Sequence, residues 1–161
     1  MKKITDTLLD ALTGKAASAE RLRVNHNFHE GGHDTLQRML NAIEPGTYIR
    51  PHLHQNPDKR EAFICLRGRF MVVEYNHDGS ISDFIVLDAT SGNYGCEIAA
   101  GRYHSIISLS SGTVAYELKD GPYDPSTDKK FAPWAPEEGS AEATAFIAKV
   151  LEHTGTTYLL Q

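Results

Sequence analysis

Between Leu36 and Leu118 the chain repeats one pattern, a short apolar segment followed by a turn. The segments are LQRMLNAIEPG, TYIRPHLH, EAFICLRG, RFMVVEYNHDG, SDFIVLDATSG, NYGCEIAAG, HSIISLSSG and TVAYELKDG. Eight short strands punctuated by Gly, Pro-Gly, Asp-Gly and Ser-Gly fit an all-β sandwich or closed barrel. No helical segment alternates with them, so nothing points to a parallel sheet. NHDG, between two β-rich runs, is the clearest hairpin turn. Leu36, Met39, Leu40 and Ile43 are spaced as on a helix face, yet the surrounding pattern reads as a strand.

The flanks carry different signals. MKKITDTLLDALTGKAASAE places Ile4, Leu8, Leu9 and Leu12 on one face of an amphipathic helix. Asp6, Asp10 and Lys15 break any secretion-signal core there. RLRVNHNFHEGGHDT is polar and reads as irregular. GPYDPSTDKKFAPWAPEEG is too proline-rich for a strand or helix and too aromatic for a free linker, so it should pack across the domain. It would lid a pocket, or cement a dimer or helix against the barrel. SAEATAFIAKVLEHTG reads as a closing helix, with Ser140 as N-cap, Phe146, Ile147, Val150 and Leu151 on its apolar face, and Gly155 as stop. The expected organisation is a single domain over 1–161. Residues 1–35 form a helix and arm, 36–120 a barrel, and 121–161 a Pro/aromatic segment and closing helix.

A net charge of -5 with no basic tract argues against nucleic-acid binding, and no apolar run is long enough for a bilayer. Cys65 and Cys96 lie in apolar segments and read as buried, reduced thiols, which makes the expected location cytoplasmic.

The chemistry concentrates in PHLHQNPDKREAFICLRG. On a strand His52 and His54 would share a face, about 7 Å apart at Cα. Imidazoles and a carboxylate bind Zn, Fe, Ni, Cu and Mn, so Glu61 and the distant His104 are candidate partners. Two solvated surface histidines would give the same local string. Alternation also aims Tyr48 and Arg50 inward. Arg50 would bind an anionic oxygen or pair with a surface acid; Tyr48 would donate a hydrogen bond or simply pack. Phe63 and Cys65 follow Glu61 inward, as Ile106 and Ser108 follow His104. Either Glu117 or its neighbours Tyr116 and Leu118 face the interior. His29, His33, His77 and His153 carry no assignment.

Gly46, His52, His54, Glu61 and Gly68 fall in the order of the first cupin motif, with a His-to-Glu spacer two residues longer than usual. Gly101 and His104 resemble the second motif, where Ala99 replaces the usual proline and Ser108 the asparagine. NHN, QRMLNAIEPGTYIRPHLH, KDGPY and DKKFAPWAPEEG together resemble the WbuC family of cupin-fold metalloproteins along nearly the full length. The resemblance implies a mostly β cupin (jelly-roll) barrel holding one divalent ion (Zn, Fe(II), Mn or Ni) on His52, His54, Glu61 and His104. It raises Asn25 as a substrate contact beside Arg50 and Phe63, with Arg50 and Tyr48 as catalytic candidates. Its members often sit among O-antigen genes. The expected function is a metal-dependent enzyme isomerising or epimerising a sugar, sugar acid or nucleotide sugar, working as a homodimer. An Fe(II) dioxygenase and a non-enzymatic sugar-binding module are the alternatives.

Overall fold

The computed structural model describes residues 1–159, so the last two residues of the 121–161 segment lie outside the described residues. Helix α1 (Asp6–Ser18) starts at Thr5, whose hydroxyl accepts a hydrogen bond from the Leu8 amide. Asp6 in its first turn and Lys15 in its last suit the helix dipole. Ile4, expected on its apolar face, precedes the helix and is exposed. Strands follow in chain order: β1 (Arg23–Asn27), β2 (Leu36–Ile43), β3 (His52–Leu53), β4 (Glu61–Arg67), β5 (Arg69–Tyr75), β6 (Ile81–Asp88), β7 (Gly95–Ile98), β8 (Tyr103–Ser108), β9 (Thr113–Asp120) and β10 (Lys130–Phe131). Helix α2 (Ala141–Thr154) closes the chain.

The strands form two antiparallel five-stranded sheets, ordered β1-β2-β9-β4-β7 and β10-β3-β8-β5-β6. Ile43, Phe63, Phe70, Val72, Ile106 and Ala115 pack between them. Leu9, Leu12 and Ala16 of α1 cover the outer face of the first sheet against Leu40, Ala42 and Val114. Ile147, Val150 and Leu151 of α2 cover the second against Met71, Val73 and Ile107. Each sheet is therefore buried on both faces over much of its area. This explains the helix-like spacing in β2: Leu40 and Ala42 meet α1, whereas Ile43 faces the other sheet.

Three expectations need correction. The polar arm is not wholly irregular, because Arg23–Asn27 pairs with β2 from Arg23↔Ile43 to Asn27↔Met39. Backbone pairing to a free sheet edge overrides the polar composition of this stretch. The segment TYIRPHLH yields strand only at His52–Leu53; Pro51 has no N–H to give a ladder. The Pro/aromatic segment does hold a strand, since Lys130 and Phe131 pair with Leu53 and His52 before Pro133 ends the pairing. Ser140 does occupy the N-cap of α2, but its buried hydroxyl makes no cap bond. Gly155 ends the helix in the left-handed conformation (φ 63°). Cys65 is buried and Cys96 half-buried, and both are free thiols. Among the described residues, no helix is long and apolar enough to cross a membrane.

Gly68 turns β4 into β5 at φ +73°, and a Cβ there would lie 2.8 Å from the Thr113 Cα. Gly68→Ala is expected to lower stability by about 1–3 kcal/mol, read as a drop in the thermal midpoint. An unshifted midpoint would show that the turn relaxes freely.

Candidate metal centre

Both sheets contribute to one polar cluster. β3 and β8 place His52 directly across from His104, and His54 lies just past β3. Glu61 opens β4 on the facing sheet, between Ile98 of β7 and Lys119 of β9. One ligand atom from each of His52, His54, Glu61 and His104 lies within 4.8 Å of all the others. All four residues are buried, at 2–4% exposure.

The hydrogen bonds decide what those atoms present. His52 Nδ1 lies 2.8 Å from the Arg50 carbonyl and His104 Nδ1 3.0 Å from the Arg102 carbonyl. His54 Nδ1 bonds the Asp128 carbonyl. A carbonyl oxygen only accepts, so each Nδ1 must carry the proton. In the neutral rings each Nε2 is then a lone pair. His54 Nε2 sits 3.0 Å from Glu61 Oε1, and His104 Nε2 2.8 Å from Glu61 Oε2. Both Nε2 atoms are buried without a hydrogen-bond partner. Lone pairs facing carboxylate oxygens at this range repel unless a cation lies among them. Burial, Lys129 and His104 depress the pKa of His52, favouring its neutral ligand form. Three imidazole nitrogens and one carboxylate make a fitting donor set for a divalent ion.

The family model "Domain of unknown function (DUF6016)" matches residues 4–87, just over half of the 161 residues. The chain belongs to this family. No curated protein matches it. Among solved structures it resembles L-ribose isomerase from Cellulomonas parahominis bound to L-psicose, with TM-score 0.57 and 13% identity over 90% of this chain and 96% of that one. It also resembles the capsular polysaccharide assembling protein CapF from Staphylococcus aureus, with TM-score 0.52 and 20% identity over 66% of this chain. The match spans only 28% of that CapF chain. KdgF from Halomonas sp. aligns with TM-score 0.50 and 13% identity over 65% of this chain and 82% of that one. With the two facing sheets, these likenesses establish the cupin jelly-roll fold for this DUF6016 member.

A cavity of about 430 Å³ opens onto His52, Glu61 and His104. Phe63 and Asn25 line it; Tyr48 and Arg50 do not. Alternation fails to carry them inward because residues 47–51 are not strand. Tyr48 packs against Phe146 of α2, and its hydroxyl donates to the Pro136 carbonyl. Burial pushes its pKa up to about 12. Arg50 lines a second cavity beside the first. Ile106 lines the main cavity, whereas the Ser108 hydroxyl is spent on the carbonyls of Ile43 and Ser110. His29 also borders the main cavity.

The sequence left the facing of Glu117 open and gave no role to Asn41, Lys59, Lys119 or Asp128. Glu117 and Lys119 point into the cavity, while Tyr116 packs outward near Phe28. Asn25 donates to Asn41 (2.7 Å), and Asn41 donates to Glu117 Oε2 (2.5 Å). Asp128 takes Lys59 and Lys119 on its two oxygens at 2.7 and 2.6 Å, so that these three buried charges are paired. It also anchors His54 through its carbonyl. The shared parity of Glu117 and Lys119 in TVAYELKD was the only available signal.

Burial and the charge of Glu61 raise Glu117 from 4.5 to about 7. Its protonated form is the stable one, so this contribution is complete below pH 4.5 and is lost as pH rises through 7. In chelator-stripped protein, Glu117→Gln should therefore stabilise the fold at pH 8 relative to wild type by about 3 kcal/mol, with little gain at pH 5. Parallel melting curves at both pH values would contradict this.

Proposed function

We propose that this cupin is a divalent-metal-dependent enzyme of the WbuC type that isomerises or epimerises a small sugar or sugar derivative. The carrying observation is the convergence of His52, His54, Glu61 and His104 on one buried point, with Nε2 lone pairs turned toward a carboxylate. A divalent ion held there supplies Lewis acidity toward a carbonyl or hydroxyl oxygen.

The remaining work falls to side chains around the cavity. Glu117, held at one oxygen by Asn41, is the group that takes and returns a proton. Asn25 orients Asn41 and hence that carboxyl. Phe63 and Ile106 supply an apolar wall that keeps water from the reacting carbons. A cavity of about 430 Å³ suits a ligand of monosaccharide size.

The sugar class is supported by analogy. The L-ribose isomerase has been solved with L-ribose and with L-psicose, and CapF is a capsular polysaccharide assembling protein. A role in O-antigen or related surface polysaccharide synthesis, in the cytoplasm and as a homodimer, completes the reading.

The test combines elemental analysis with a turnover assay. Wild-type protein purified without chelator should hold one ion per chain and interconvert at least one sugar in a panel of aldoses, ketoses and their acids followed by NMR. His52→Ala should lose most of the metal and all turnover while keeping its circular dichroism spectrum. Unchanged turnover in that variant would overturn the assignment.

A further inference from the structure

Beside the metal-centre cavity lies a second of about 300 Å³, bordered by Arg21, Arg23, Arg50, Tyr123, Asp128, Lys129, Phe131 and Glu138 among others. The two share Arg21, Arg23, Ile49, Tyr123, Asp128 and Lys129, so they adjoin. Four cations face two carboxylates in the outer cavity, and both carboxylates are already engaged. Glu138 takes Arg21 and Arg23, each at 2.6 Å, and Asp128 takes Lys59 and Lys119. That leaves Arg50 and Lys129.

Neither has a strong partner. Lys129 has no carboxylate within 4.0 Å among the described residues, unlike Lys59 and Lys119. Its side chain reaches solvent, yet protein surrounds it closely enough for burial to lower its pKa. Arg50 meets only Glu137, at 3.9 Å, on a side chain 85% exposed. Such a contact contributes little. Its Nε is buried with no hydrogen-bond partner. The guanidinium lies 5.1 Å from the centroid of Phe131, which fixes its plane and leaves its donor edge free. An ordered arginine edge beside an unpaired lysine is suited to a planar or tetrahedral oxyanion.

The surroundings narrow the ligand. Phe131 and Tyr123 are 48% and 45% exposed, offering apolar ring faces to sugar C–H groups within a basic site. The Phe131 ring also lies 6.3 Å from that of His52, so whatever rests on Phe131 borders the metal centre.

We infer that Arg50 and Lys129 form an anion subsite for the carboxylate or phosphate of an acidic sugar whose hydroxyl or carbonyl end reaches His52, His54, Glu61 and His104. The inference rests on the metal-centre reading above for the position of the second end, but the anion contact itself does not require metal.

Calorimetric titration of the metal-loaded protein with glucuronate, glucose 6-phosphate and glucose tests it. At least one acidic probe should bind tenfold or more tightly than glucose, and its affinity should fall as NaCl rises. Preference between the two acids assigns the anion as carboxylate or phosphate. Lys129→Gln and Arg50→Gln should each weaken the acidic probe by about tenfold, leaving metal content and glucose binding unchanged. Equal binding of all three sugars, no binding of either acid, or full affinity in both variants would overturn the subsite. Anion preference that persists in His52→Ala protein without metal would support the subsite and bear only on its coupling to the metal.

Discussion

Everything at the centre of this protein depends on where three imidazole protons go. Backbone carbonyls of Arg50, Arg102 and Asp128 each accept from an Nδ1. Each bond fixes one ring's tautomer and orientation, so the Nε2 atoms converge on Glu61 instead of pointing at random into the barrel. Hydrogen-bonding the far nitrogen of a ligating histidine also raises its basicity and preorganises it for a metal. Two of the three acceptors belong to residue i−2, so the backbone just ahead of β3 and β8 does the orienting for His52 and His104.

The fold makes that arrangement affordable by splitting its interior. Apolar residues such as Phe70, Val72 and Leu87 fill one part of the space between the sheets, while polar groups concentrate at the other end. There, Asp128 sits between two buried lysines and Glu138 between two arginines. Glu117 is the exception among the carboxylates. Its half-buried side chain is met by an amide rather than a cation, which leaves it poised near neutrality. A barrel held rigid by helices on both outer faces keeps these groups at fixed separation, as preorganised electrostatics requires.

The parts visible in the sequence are those set by local spacing. His52, His54, Glu61 and His104 were legible because two glycine-framed motifs bracket them, and β2 was legible as a strand despite its misleading apolar spacing. Tyr48 and Arg50 were misplaced because alternation was extended through Pro51 into a segment that is not strand. β1 was missed because its polar residues carry no period-two signal, and only the open edge of β2 makes it a strand. Asp128 and Lys129 lie in a proline-rich stretch with no periodicity. Their approach to the centre depends on the pairing of Phe131 with His52, a long-range contact that composition does not encode.

The most direct measurement is anomalous diffraction from crystals of the metal-saturated protein, collected on both sides of the ion's absorption edge. The account predicts one strong anomalous peak bonded at about 2.0–2.2 Å to imidazole nitrogens of His52, His54 and His104 and to a Glu61 oxygen. A peak elsewhere, or none between these four side chains at saturating metal, would contradict it.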